Sequence, residues 1–146
     1  MKNLVLVSLV LFTLTLSAQE KQNDATWEET IEFLKKNIHY LNKTSGSRKH
    51  AYEIDDEQIV KNRYLGKNES KYILRLNDLD KIVYENNRYF IYSYGKYVKN
   101  EVNGILRNHS DFFPVGGEIG KNYLRVIKAL EHLAYLANNK RPESKF

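Results

Sequence analysis

The apolar residues between positions 123 and 137 constrain the fold of this chain more than any other feature. They recur at helical spacing, at Tyr123, Val126, Ile127, Leu130, Leu133, Ala134 and Ala137. At 100° per residue, this set occupies an arc of about 120° on a helix surface. The pattern predicts a C-terminal amphipathic helix that begins near Lys121, ends at Asn138 and Asn139, and buries one face against the rest of the protein.

The absence of cysteine tells us what must hold such a fold together. The 146 residues contain no cysteine, which excludes disulfide bonds, thiol catalysis and thiolate metal sites. The apolar core must therefore supply the stability of the fold.

A second helical pattern lies near the N-terminus. Thr26 and Glu29 have the spacing of a capping box, in which each side chain binds the backbone N–H of the other residue. The apolar residues that follow lie within an arc of about 80°, at Trp27, Ile31, Leu34, Ile38 and Leu41. We predict an amphipathic helix that ends in the turn-forming segment 42–47.

The middle of the chain has the alternating pattern of strands. We expect an antiparallel meander of five or six strands, with candidates at Ala51–Ile54, Gln58–Leu65, Lys71–Leu76, Lys81–Glu85, Arg88–Tyr94 and Tyr97–Val102. Asn86-Asn87 suits a type I′ turn because Asn tolerates positive φ, and Gly95-Lys96 suits a type II′ turn. Residues 103–120 are expected to form a long connection. The predicted fold class is α+β, with the C-terminal helix packed on the sheet.

Two segments carry a resemblance to a known group of proteins. Residues 73–80 end a strand with Asn-Asp-Leu-Asp, and residues 124–133 read Leu-Arg-Val-Ile-Lys-Ala-Leu-Glu-His-Leu. Both resemble small uncharacterised exported proteins of Bacteroidetes-type bacteria, over roughly residues 50–138. The resemblance implies a pleckstrin-homology-like fold, in which a C-terminal helix plugs one end of a bent antiparallel sheet. It assigns no catalytic residue.

The N-terminus has the composition of a secretory signal peptide. Lys2 precedes an uncharged, largely apolar run at residues 4–16, and Ser17 and Ala18 precede a polar segment. The run is shorter than the roughly 20 apolar residues of a membrane-spanning helix. We predict cleavage near Ala18, a periplasmic or secreted location, and no transmembrane anchor after cleavage.

These patterns together predict one folded unit. We expect a signal peptide at 1–18, a polar leader at 19–25, a single α+β domain at 26–139 and a polar tail at 140–146. The formal net charge of +5 is spread along the chain, and an exported protein seldom meets nucleic acid. We therefore expect no nucleic-acid partner.

No catalytic or metal-binding motif is present in the sequence. The four histidines lack the spacing of metal ligands, so we expect no metal site, no cofactor and no catalytic residue. The alternative is an enzyme that acts on an envelope or extracellular polymer with carboxylates such as Asp78 or Asp80. The distance between two carboxyl groups decides that chemistry, and sequence does not show it.

Four aromatic residues are the candidate binding residues. Phe112 and Phe113 precede Pro114 in a segment that Gly117 follows, and an ordinary turn does not direct both rings inward. Phe33 and Tyr40 lie about 100° from the core stripe of the first helix. These residues predict a small exported, non-enzymatic binding or accessory module for a protein or an envelope polymer. A structural assembly subunit is a further alternative.

Overall fold

The computed structural model describes residues 25–140 of the 146-residue chain. The predicted signal peptide, the leader up to residue 24 and the tail after Lys140 lie outside the described residues. The described part is α+β, with a helix at each end and two antiparallel sheets between them.

The elements follow one another in the order helix, strands, helix. Helix α1 spans Trp27–Asn37, a 3-10 turn follows at Ile38–Leu41, and helix α2 spans Lys121–Lys140. The strands are β1 Lys43–Ser45, β2 Arg48–Ile54, β3 Gln58–Leu65, β4 Asn68–Arg75, β5 Leu79–Glu85, β6 Arg88–Ser93, β7 Val98–Val102, β8 Ile105–Ser110 and β9 Phe112–Pro114. A short 3-10 turn at Leu76–Asp78 joins β4 to β5.

The predicted capping box starts α1. The Glu29 amide donates to Thr26 Oγ1 at 3.2 Å, and the Thr26 amide donates to Glu29 Oε2 at 2.8 Å. These two bonds satisfy amide groups that have no partner inside the helix. The apolar stripe is buried as expected, except that Trp27 is half-buried and that Ile38 and Leu41 lie in the 3-10 turn.

The strands form a large and a small sheet. The six-stranded sheet has the order β1-β2-β3-β4-β7-β8, and the three-stranded sheet has the order β5-β6-β9. Asn86 and Asn87 have φ angles of 50° and 60°, which confirms the predicted tight turn between β5 and β6.

Three details of the predicted single meander are wrong. Residues 103–120 contain β8 and β9 and are not a plain connection, and residues 43–45 of the expected turn form β1. In addition, β6 pairs with β5 and β9, whereas β7 pairs with β4 and β8. Gly95 has the expected positive φ of 77°, but its turn carries the chain from one sheet to the other.

Helix α2 packs against the core through its apolar face. All seven residues of its predicted stripe are buried, and Leu130 and Leu133 are fully inaccessible to solvent. The helix packs mainly on β5 and on α1, with further contacts to both 3-10 turns. The predicted packing of the C-terminal helix on a sheet is confirmed, and both helices share one continuous core with the two sheets.

Candidate binding surface on the three-stranded sheet

Strand β9 separates its two adjacent phenylalanines. Phe113 pairs with Ile91 and Phe112 pairs with Tyr92 across the antiparallel β6–β9 ladder. Successive side chains of a strand point to opposite faces, so Phe113 is fully buried in the core while Phe112 keeps 38% of its surface exposed. The expectation that the two rings do not both point inward is therefore confirmed, although they lie in a strand and not in a turn.

Phe112 joins two other rings on the outer face of the small sheet. Its ring centroid lies 5.5 Å from that of Phe90 and 5.3 Å from that of Tyr92. The Phe90 and Tyr92 centroids are 6.5 Å apart. We call these three residues the aromatic patch. Its rings are inclined to one another by 38° to 77°. The surface of the patch is therefore uneven and not flat.

Charged side chains surround the patch on the same face. Strand register places Lys81 beside Tyr92 and Glu85 beside Arg88. Lys81 Nζ lies 5.5 Å from the centroid of the Tyr92 ring, and the Tyr92 hydroxyl donates to Glu85 Oε1 at 2.6 Å. The hydrogen bond to this carboxylate raises the pKa of Tyr92. The outer face thus combines an apolar centre with a rim of both charges.

A buried lysine holds β9 in place from beneath. Lys61 on β3 is 2% exposed, and its Nζ donates to the carbonyl oxygen of Pro114. The Tyr52 hydroxyl donates to the same oxygen at 3.3 Å and accepts from the Gly116 amide at 2.6 Å. These bonds tie β9 and the residues after it to the six-stranded sheet, although β9 pairs only with the small sheet.

The ammonium group of Lys61 lies among aromatic rings. The centroids of Tyr52, Tyr72 and Phe113 are 5.8, 5.4 and 6.0 Å from Nζ. No salt bridge within residues 25–140 involves this lysine. Loss of hydration lowers the pKa of Lys61 to about 8, and the positive charge of Arg63 acts in the same direction.

Gly117 allows the chain to turn from β9 toward α2. Its φ is +100°, and a β-carbon there would lie 2.8 Å from Cε2 of Tyr123 and 3.1 Å from the backbone oxygen of Tyr40. Only glycine fits a backbone of this conformation at such a close approach. The segment that carries Phe112 is therefore fixed at its C-terminal end.

The other two candidate binding residues lie apart from the aromatic patch. Phe33 is half-buried on α1, where the guanidinium of Arg125 lies 5.5 Å from its ring centroid. Tyr40 lies in the 3-10 turn after α1, is 39% exposed and contacts the His39 ring at 4.2 Å. Neither ring is among the ring contacts of the patch, so the structure does not bring the four candidates together.

The carboxylates of the enzyme alternative occupy a different surface. Asp78 lines a polar cavity of about 320 Å³ on the outer face of the six-stranded sheet, together with Glu57 and His109. Its Oδ2 accepts a hydrogen bond from Arg75 Nε at 2.8 Å. Asp80 does not line this cavity. Among the residues that the structure describes, no three His, Asp or Glu side chains are grouped as metal ligands.

Comparison with known proteins found no family model, no curated protein and no solved structure that matches this chain. Between Ala25 and Lys140, no helix is both long enough and apolar enough to cross a membrane.

Proposed function

We propose that this protein is a small exported, non-enzymatic binding or accessory module, and that the aromatic patch is its contact surface. One observation carries the proposal: β9 buries Phe113 completely while it holds the adjacent Phe112 against Phe90 and Tyr92 on the outer face. An aromatic residue at the outer position adds only a modest cross-strand contribution to the sheet, because Phe113 alone fills the core on the inner side. Phe112 is 38% exposed and the other two rings are half-buried, and partly exposed apolar clusters occur at interaction sites.

The form of the patch favours a protein partner. Aromatic anchors encircled by polar side chains are the usual arrangement at the centre of protein interfaces. The three rings are mutually inclined, so they form no continuous flat surface along which an extended glycan would stack. Lys81, Glu85 and Arg88 supply both signs of charge at the rim, and such charges select the orientation of a partner.

The restraint of β9 supports the same function. Lys61, Tyr52 and Gly117 hold the segment before a partner arrives. A surface that is already ordered loses little conformational entropy when it binds, and this increases affinity.

Site-specific cross-linking tests the contact surface. We expect a photoreactive phenylalanine analogue in place of Phe112 to form a discrete adduct with one protein in the cells that make this chain. The matched control places the same analogue at Tyr135, an exposed aromatic position on α2, where the adduct should be absent. Equal adducts at both positions, or none at position 112, would contradict the proposal. Adducts with a polysaccharide would show that the partner is a glycan and not a protein.

Export of the chain is a separate part of the proposal. It is supported by the run at residues 4–16 and by Ser17 and Ala18. Mass spectrometry of the secreted or periplasmic fraction should show an N-terminus at Gln19. Recovery of the chain with Met1 intact, in the cytosolic fraction alone, would overturn this part.

The polar cavity is the observation that favours the enzyme alternative. Glu57, between β2 and β3, and Asp78, in the 3-10 turn after β4, line it together with His109 of β8. An enzyme with its acid or base here would release soluble fragments from an envelope polymer, and Asp78→Asn would abolish the release. Equal release by Asp78→Asn and the unchanged protein would exclude Asp78 from the reaction.

Strand β8 is the observation that favours an assembly subunit. It forms one edge of the six-stranded sheet, and five of its six residues are exposed. An edge strand of this kind offers unpaired backbone groups to another chain. If this edge assembles copies of the protein, light scattering after size-exclusion chromatography would show oligomers. The substitution Leu106→Lys would then reduce the fraction of oligomer.

The pleckstrin-homology-like topology is also a proposal. Two antiparallel sheets and a C-terminal helix packed on the second sheet support it. The return of β7 and β8 to the first sheet is an addition to a simple meander. An experimental structure superposed on known folds of that type would test it.

A further inference from the structure

A row of cations crosses the inner face of the six-stranded sheet at the end that lies beyond the core. Strand register places Lys43 of β1 opposite His50 of β2, and His50 opposite Arg63 of β3. Arg48 and Lys61 share this face because each lies two residues from a member of the row. Lys61 is 2% exposed, His50 and Arg63 are half-buried, and the other two are exposed. We call these five residues the basic face.

Carboxylates are missing from this part of the sheet. Among the described residues of β1–β4, none on the inner face is acidic, because register and alternation place Glu53 and Glu69 on the outer face. Glu118, in the segment after β9, is exposed. No salt bridge within residues 25–140 involves Glu118 or a member of the basic face. The positive charge of the basic face is therefore not neutralised by ion pairs.

The imidazole of His50 lies at the centre of this charge. Loss of hydration lowers the pKa of His50, and the positive charges of the other four members act in the same direction. Its Nδ1 atom is buried and has no hydrogen-bond partner among the described residues. Buried polar atoms in folded proteins are nearly always hydrogen-bonded, to the chain itself, to water or to a bound group. The centre of the basic face therefore has an unused polar atom beside its uncompensated charge.

The fold does not require this arrangement of charges. Like charges on neighbouring strands destabilise a sheet, yet Lys43 and Arg63 both flank His50. A lysine is seldom buried without a partner carboxylate, yet the charges that act on the pKa of Lys61 are those of Arg63 and Arg88, both positive. A bound anion would offset this repulsion. An anionic ligand therefore accounts for a cluster that stability alone does not favour.

We propose that the basic face binds an acidic segment of the protein partner, an extended stretch with carboxylates at alternating positions. The proposal rests on the proposed function for the partner being a protein. Arg48 and His50 are two residues apart on β2, about 7 Å, which is also the spacing of alternate side chains in an extended peptide. Carboxylates match the guanidinium groups of this face, since both are planar and form paired hydrogen bonds. Arg88, at the rim of the aromatic patch, is close enough to act on Lys61, so one partner can contact both surfaces.

The fluorescence anisotropy of a labelled peptide, titrated with the purified protein, tests the proposal. The probe alternates glutamate and threonine, and its matched control alternates glutamine and threonine. At physiological ionic strength, we expect saturable binding of the acidic peptide and binding of the control that is at least tenfold weaker. Equal binding of the two peptides, or no binding of the acidic one, would overturn the proposal, because the cations would then select no acidic segment.

Variants locate the binding on one face of the sheet. The double substitution Lys43→Gln and Arg63→Gln should weaken binding of the acidic peptide at least tenfold, and Arg48→Gln should weaken it severalfold. Lys49→Gln is the matched control, because it removes an exposed cation from the outer face of the same strand, and it should bind like the unchanged protein. Thermal melting shows which variants are folded, and Arg48→Gln decides if the double variant is not. Equal weakening by Lys49→Gln would overturn the proposal.

Two further measurements separate this proposal from the proposed function. If dextran sulfate binds with the same dependence on Arg63 and the acidic peptide does not bind, the occupant is an acidic glycan and the proposal is wrong. In cells, the double variant should reduce the cross-linked adduct at position 112. An undiminished adduct would overturn the acidic segment and leave the contact surface intact. If the acidic peptide binds and no adduct forms at position 112, the contact surface fails and the basic face stands.

Discussion

The outer faces of the two sheets differ in chemistry, although both sheets contribute their inner faces to one core. On the six-stranded sheet, the outer face around β3, β4 and β7 is mixed, since Ile73 and Tyr97 accompany the polar residues Gln58, Arg75 and Lys99 there. On the three-stranded sheet, the corresponding face carries the aromatic patch. Strand alternation requires apolar residues only on the inner face. The alternation of the strands therefore does not require the aromatic patch, and we propose that a partner contacts it.

The largest expected effect comes from the inner side of β9. Phe113→Ala should lower the free energy of unfolding by about 3–5 kcal/mol, because it empties a fully buried position that contacts the Tyr72 ring. Urea denaturation measures the change. A loss below about 1 kcal/mol would show that β9 contributes little to the core, and the contrast between the faces of this strand would fail.

Helix α2 should show a comparable dependence on its buried stripe. Leu130 is fully buried on this helix, and Leu130→Ala should lower the free energy of unfolding by about 2–5 kcal/mol. Leu124→Ala is a matched control on the same helix, because Leu124 is 38% exposed. Similar losses for the two variants would contradict the predicted orientation of the stripe.

The buried lysine beneath β9 should make stability depend on pH. The pKa of Lys61 is about 8 in the folded protein, whereas an exposed lysine has a pKa of 10.5, so between these values the unfolded chain binds more protons. Stability should therefore rise with pH, by about 2 kcal/mol between pH 7 and pH 9.5. Above pH 10 the rise should reverse, because burial raises the pKa of Tyr123 to about 12 and that of Tyr52 further.

Substitution of the lysine isolates its contribution. Lys61→Met should remove the rise in stability between pH 7 and pH 9.5, while Lys99→Met, at an exposed position, should retain it. Urea titrations at several pH values measure both variants. A rise that persists in Lys61→Met would assign the pH dependence to other groups.

The sequence predicted the helices more accurately than it predicted the sheets. The seven residues of the α2 stripe are the seven that the helix buries, because helical periodicity is a local property. The pairing of β7 with β4, and not with β6, depends on contacts between distant residues. A local signal for β8 was nevertheless present: Asn103 and Gly104 have φ angles of 51° and 77°, and Asn-Gly is a strong hairpin signal.

The candidate site was predictable only in part, because local patterns are visible in the sequence and pairings between distant strands are not. The adjacent phenylalanines identified Phe112 as a candidate, although their segment was predicted to be a connection and not a strand. Phe90 and Tyr92 joined Phe112 only through strand register. Lys61 was not identified, although alternation places it on the same face as the buried Ile59. Few lysines are buried without a partner carboxylate, so its charge indicated a surface position.

The affinity of the cross-linked partner for Phe112→Ala tests the central claim most directly. Phe112 is partly exposed, so its removal should change the free energy of unfolding by only about 1 kcal/mol. If Phe112 anchors the interface, its removal should weaken the binding of the partner at least tenfold. Binding that weakens tenfold in a folded variant would support the aromatic patch as the contact surface. Unchanged affinity, or a loss of several kcal/mol in stability, would contradict it.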